Sequence, residues 1–255
     1  MSFAPTWLTY ALLVPAAGAA GFVDAIAGGG GIITIPALLA AGLPPHLALG
    51  TNKVQSVLGT LSATIGYRRA GLFTFRELLP GIAATAAGAA LGAAAVGAVD
   101  TGFLKLLIPL LLVGILVFLA LKPRFGLEGS GRKLPLLPFW LGSGLVLGFY
   151  DGFFGPGTGT FWTMALVGLA GFGLKEATGR TKVANLTSGL FSLGVFLAAG
   201  SVLPALGLAM GAAQALGAWL GSRMVVARGA LFVRAVLIGA TAAMIAYIVL
   251  RYWVL

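Results

Sequence analysis

The chain contains no cysteine and a single histidine, His46, among its 255 residues. The first absence excludes disulfides, thiolate metal sites and a cysteine nucleophile. The second argues against a histidine-rich metal centre or a histidine-based catalytic relay. Charge is scarce as well. Asp, Glu, Lys and Arg together make up 9% of the residues, against about a quarter in a soluble domain. A water-soluble fold of this length would have too few polar side chains to cover itself. What is abundant is apolar: 59% of the residues are hydrophobic and the mean hydropathy is +1.04. We therefore read an all-α polytopic membrane protein, solvated by lipid over most of its surface. No cofactor is expected.

The net charge is +10. In a soluble protein that balance would point to nucleic acid. In a membrane protein, basic residues collect in cytoplasmic loops, and no nucleic-acid partner is expected. The N-terminal stretch has no Lys or Arg before its apolar run, so it reads as a first membrane segment and not as a cleaved signal peptide.

The chain resembles itself. "GFVDAIAGGGG" at 21–31 matches "GFYDGFFGPGT" at 148–158, and "ALGTNKV" at 48–54 matches "ATGRTKV" at 177–183. Gly88 and Gly92 then match Gly217 and Gly221, Phe103 matches Phe232, and Lys105 matches Arg234. The expected organisation is a first transmembrane repeat over 1–121, a cytoplasmic linker over 122–133, and a second transmembrane repeat over 134–255. Each repeat holds five apolar segments: 6–23, 24–42, 48–66, 76–97 and 102–121, then 134–150, 151–172, 178–199, 201–222 and 230–252. The second segment of each repeat carries a glycine break, so its regular helix should be short, about 12 residues, against the ~20 needed for a full span.

Charge sets the expected topology. If every segment crosses, Arg68, Arg69, Arg76, Lys122, Arg124, Arg132, Lys133, Lys175, Arg180, Arg223, Arg228 and Arg234 fall on one side. By the positive-inside rule that side is the cytoplasm, and both termini are non-cytoplasmic. Lys105 and Arg251 fall outside. An odd number of crossings per repeat inverts the second repeat, and inverted repeats with discontinuous helices are the architecture of many secondary transporters.

The candidate site follows from the breaks. Gly28, Gly29, Gly30 and Gly31 in one repeat correspond to Gly155, Gly157, Thr158 and Gly159 around Pro156 in the other. Non-helical backbone at membrane depth survives only when buried in protein or lining a wet cavity. Each run could leave free N–H groups at a helix start, where anions are favoured. Close small-residue packing is the alternative, and it is the expected role of Gly88, Gly92, Gly217 and Gly221.

Lys53 and Lys182, at the starts of the third segments, form a second pair. They can hold an anion or an acid, or snorkel to the interface. Thr51, Asn52, Gln55 and Ser56 beside the first, and Thr181, Asn185, Thr187 and Ser188 beside the second, add donors. Asp24 and Asp151 form a third pair. They can carry a proton or sodium ion, balance the lysines, or cap the broken helices. His46 is expected in an outer loop. Trp7, Trp140, Trp219 and Trp253 are expected in interface belts, and Phe153, Phe154, Phe161 and Trp162 in packing around the second break.

"GFVDAIAGGGGIITIPALLAAGLPPHLALGTNKVQS" at 21–56, echoed at 148–185, resembles the signature of the TauE/SafE sulfite-exporter-like permeases. The family motif falls on Asp24, the Gly28–Gly31 run, Pro36, Gly50, Thr51, Asn52 and Lys53. In the second repeat Pro156 replaces a glycine, and Arg180–Thr181 replaces Thr51–Asn52. The resemblance implies an inner-membrane permease, often an exporter, for small sulfur-containing or carboxylate anions such as sulfite or organosulfonates. A passive anion channel of the same fold is the rival reading. An intramembrane aspartyl-type enzyme is the more distant one, since neither acid sits in a GxGD motif.

Overall fold

A computed structural model describes residues 4–121 and 134–249. The expected linker, 122–133, and Trp253 lie outside the described residues. Among the described residues the chain is helical throughout: α1 (Trp7–Ala27), α2 (Gly30–Ala40), α3 (Pro45–Arg69), α4 (Phe75–Gly97), α5 (Thr101–Leu121), α6 (Leu136–Phe153), α7 (Thr158–Gly168), α8 (Leu174–Ala198) and α9 (Pro204–Val249). Gly229, at φ 74° and ψ −161°, divides α9 into two helical stretches. Local chemistry sets several starts. Thr6 and Thr9 close a reciprocal capping box at α1, and Thr74 and Glu77 close one at α4. Pro45 opens α3, where a missing N–H costs nothing.

Two pairs of helices pack backbone to backbone. Gly88 and Gly92 of α4 face the carbonyls of Leu145 and Phe149 in α6, and Gly217 and Gly221 of α9 face those of Gly18 and Phe22 in α1. A Cβ at Gly221 would lie 2.7 Å from the Phe22 oxygen. These glycines serve close contact, as small residues do between membrane helices. The central helices α3 and α8 pack against each other and carry most of the buried polar side chains.

Four described helices are long and apolar enough to cross a bilayer: Trp7–Ala27, Phe75–Gly97, Leu136–Phe153 and Leu174–Ala198. Large apolar side chains such as Leu12, Leu106 and Val146 are exposed on the helix surfaces. In water that surface would aggregate; in lipid it is solvated. Basic side chains gather at one end. Arg180 reaches the Leu72 carbonyl and Glu77, Lys175 reaches the Val226 carbonyl, and Arg69 and Arg223 line one pocket.

Several expectations need correction. Asp24 and Asp151 lie near the C-terminal ends of α1 and α6, not in the second segments, because the regular helix runs on to the glycines. Lys53 and Lys182 are not at helix starts: each stands eight residues after the first residue of its helix, Pro45 or Leu174. Their polar neighbours are buried with them, and a helix tolerates such burial where partners exist. His46 sits in the first turn of α3, with its ring nitrogens at 3.2 Å from the Val96 carbonyl and 3.3 Å from the Thr101 hydroxyl. Trp140 is buried, with its ring 5.2 Å from Phe139 and 6.0 Å from Trp162; the open face of Gly81 gives it room.

Candidate functional site

The site starts from two interruptions. At the first, Gly28 adopts a left-handed conformation (φ 78°) and Gly29 leads into α2 (φ −113°). Gly30 and Gly31 already belong to α2, so the break is shorter than the four-glycine run. At the second, Gly155 (φ 97°) and Gly157 (φ 80°) carry the chain from α6 to α7. Positive φ at these positions is where glycine is needed. Each break is followed by a helix of 11 residues.

The two breaks touch. A Cβ at Gly159 would fall 2.5 Å from the Cα of Gly28, and one at Gly31 would fall 3.3 Å from the Cα of Pro156. The Thr160 hydroxyl donates to the Ala27 carbonyl across this contact at 2.8 Å. That bond satisfies a carbonyl the end of α1 leaves open.

Four buried charges converge here, paired crosswise: α3 with α6 and α8 with α1. Lys53 of α3 donates to the Asp151 carboxylate of α6 at 2.9 Å and to the Asp151 backbone carbonyl. Lys182 of α8 donates to the Asp24 carboxylate of α1 at 3.1 Å and to the Asp24 backbone carbonyl. Both lysines are nearly inaccessible, at 3% and 0% exposure. Ions this deep stand only when paired and hydrogen-bonded. The remaining carboxylate oxygens are met too. The Gly30 N–H donates to Asp24 Oδ1 at 3.2 Å, so Asp24 caps the start of α2. The Ser188 hydroxyl donates to Asp151 Oδ2. The Thr158 hydroxyl donates to the Gly155 carbonyl at 2.6 Å and lies 3.4 Å from Asp151 Oδ1.

Between the breaks lies a cavity of about 20 Å³, room for roughly one water molecule. Its wall includes Asp24, Gly28, Gly31, Asn52, Lys53, Asp151, Gly155, Thr158, Gly159 and Asn185 from the sequence-derived set, and Ser56 besides. Asn185 Oδ1 is buried without a hydrogen-bond partner. Asn52 is held by the Thr34 hydroxyl at 2.6 Å and by Gln55 at 2.7 Å. Gly29, Gly30, Thr51, Gln55, Gly157 and Lys182 are outside the wall. Thr51 instead accepts the Leu203 N–H at 3.0 Å, Gln55 supports Asn52, and Lys182 is occupied by Asp24. The two lysines, equivalent in sequence, therefore differ in place: Lys53 faces the cavity and Lys182 does not.

Sequence reading missed Thr34 and Thr160. Thr34 is the one hydroxyl in the otherwise apolar α2, and that isolation was the available signal. Thr160 shares α7 with Thr158 and Thr163, so isolation did not mark it. Ser56 and Ser188 were noted only as neighbours. Among the described residues no cluster of His, Asp and Glu could hold a metal ion.

A multi-pass helical protein whose buried charges meet at the crossing of two interrupted helices belongs to the class that includes secondary transporters. The chain is a member of the Sulfite exporter TauE/SafE family, whose profile matches residues 13–248. It is 46% identical over 228 residues to a Sinorhizobium protein named "Probable membrane transporter protein ORF9", covering 89% of this chain and 87% of that one. It is 42% identical over 225 residues to the Escherichia coli K12 protein named "Probable membrane transporter protein YfcA", covering 88% and 84%. A Haemophilus influenzae protein named "Probable membrane transporter protein" is 43% identical over 215 residues, covering 84% of each chain. No solved structure matches. The protein is a membrane transporter of this family.

Proposed function

We propose that this transporter exports small sulfur-containing or carboxylate anions, such as sulfite or organosulfonates, across the inner membrane. The observation that carries the reading is Lys53, a buried cation on the cavity wall whose counter-charge, Asp151, is on the same wall. An arriving anion competes with the Asp151 carboxylate for that ammonium. Asn52, Ser56, Asn185 and Thr158 supply further polar groups for an oxyanion.

A cavity for one water is too small for such a cargo, so transport requires the helices around it to part. In our reading residues 1–121 and 134–255 are inverted repeats, five crossings each, and one bundle moves against the other in alternating access. The basic end faces the cytoplasm and both termini face away from it. An anion leaving a cell that is negative inside gains about 2.3 kcal/mol per charge per 100 mV, so export needs no second ion. Where a proton or sodium ion does take part, Asp24 and Asp151 carry it.

Counterflow in proteoliposomes under a clamped potential tests this function. Vesicles loaded with unlabelled sulfite, sulfoacetate or a simple carboxylate should accumulate the labelled anion transiently, with saturation. Flux that rises linearly without counterflow identifies a channel and overturns the carrier reading. Absence of flux for every anion overturns the cargo class.

A further inference from the structure

A second basic feature lies away from the buried pairs. Near the C-terminal end of α3, Arg69 and Arg223 line a pocket of about 680 Å³ between α3 and the first stretch of α9, together with Ile65, Trp219 and Ser222. That volume is within the usual range of a ligand site, about 300–1,000 Å³. Both arginines are exposed, and neither has an acidic partner among the described residues. The described acids are engaged elsewhere or start other helices: Asp24, Asp151 and Glu77 are in ion pairs, Asp100 binds the Gly102 and Phe103 N–H groups, and Glu176 lies in the first turn of α8. The Arg223 guanidinium lies 4.3 Å from the centre of the Trp219 ring, which sets its plane. Two unpaired guanidiniums on one pocket form a receptor for a phosphate.

The approach to the pocket narrows its occupant further. The helices run side by side in the same direction, since Ser62 donates to the Ala215 carbonyl and a Cβ at Gly66 would meet Ser222. Leu61 and Ile65 are exposed on α3, and Leu216 and Leu220 on α9. Both apolar stripes lead toward the arginine end. A free phosphate has no use for them. A phosphate joined to acyl chains uses both parts: the headgroup at the arginines and a chain along the seam. Basic pockets between membrane helices bind anionic lipid headgroups in this manner. We propose that this pocket is a binding site for an anionic phospholipid, with Arg69 and Arg223 on its phosphate and Trp219 beside the glycerol region. The site is independent of the cargo reading, because it does not share a residue with the central cavity.

The test uses the full chain purified in neutral detergent and returned to nanodiscs of phosphatidylcholine with or without phosphatidylglycerol. Native mass spectrometry should show phosphatidylglycerol retained in at least about tenfold excess over phosphatidylcholine. The R69Q/R223Q protein should lose that preference, whereas R68Q, an exposed arginine at the same helix end but off the pocket wall, should keep it. Millimolar inorganic phosphate should not displace the lipid. On the wild-type protein, a photoactivatable phosphatidylglycerol should label residues 62–70 and 219–227, a readout that needs no variant to fold. Equal retention of both lipids, unchanged preference in R69Q/R223Q, or labelling elsewhere would overturn the proposal. So would displacement by inorganic phosphate, which identifies a soluble-anion site, or loss of a dimer in R69Q/R223Q with lipid binding intact, which identifies a subunit contact.

Discussion

Replacing Lys182 with methionine is expected to destabilise the protein by about 3–5 kcal/mol, because it leaves the Asp24 carboxylate buried without its cation. Replacing Asp24 with asparagine should do the same in the opposite sense, stranding the ammonium. The double variant K182M/D24N should be more stable than either single one. Asparagine keeps an oxygen for the Gly30 N–H, which now meets Asp24 Oδ1, and methionine keeps much of the length of the lysine stem. The coupling follows from burial: Lys182 is fully enclosed, and a charge there has no route to water. The temperature at which the detergent-purified protein loses its monodisperse peak measures all three variants. Additive losses in the double variant would show that the two side chains act separately, and the pair would then not hold α8 to α1.

Alanine at Gly28 and alanine at Gly29 should have very different consequences, although they are neighbours in one four-glycine run. Gly28 is left-handed, which costs a residue with a Cβ about 1–2 kcal/mol. Its Cβ would also fall 2.5 Å from the Cα of Gly159, where backbone and not a flexible side chain must yield. Together with overpacking, the expected loss is about 2–5 kcal/mol. Gly29 has φ −113°, and its nearest obstacle is the Ile32 Cδ1 at 3.7 Å. Its replacement should cost about 1 kcal/mol or less. The same unfolding measurement in detergent separates the two. Equal tolerance would mean that the breaks are not in contact in the membrane.

The breaks themselves were legible. Paired glycine runs before apolar stretches read as short helices of about 12 residues, and α2 and α7 have 11. Residue types at the centre were legible too, since Asp and Lys are conspicuous in an apolar chain. Which lysine meets which aspartate was not. The partners are separated by 98 and 158 residues, and only the crossing of α3 and α8 between α1 and α6 sets the pairing. The difference between Lys53 and Lys182 was equally hidden. The motif copies place them alike, while the packing turns one to the cavity and encloses the other. Trp140 misled because an aromatic residue near a polar stretch reads as an interface anchor, whereas its ring belongs to a cluster with Phe139 and Trp162. The segment boundaries slipped at Asp24 and Asp151 because apolar sequence continues across them. Only the left-handed glycines mark where each helix stops.

The most direct measurement is anion counterflow by K53Q/D151N beside the wild type, in vesicles with matched amounts of folded protein. Removing both members of the pair leaves no buried charge stranded, so the fold is expected to persist. The wall then has no Lys53 cation for the cargo. Anion flux should fall about 100-fold, equal to about 2.8 kcal/mol of lost stabilisation. Folded K53Q/D151N protein with undiminished flux would contradict the account, because the anion would then cross without the ammonium at Lys53.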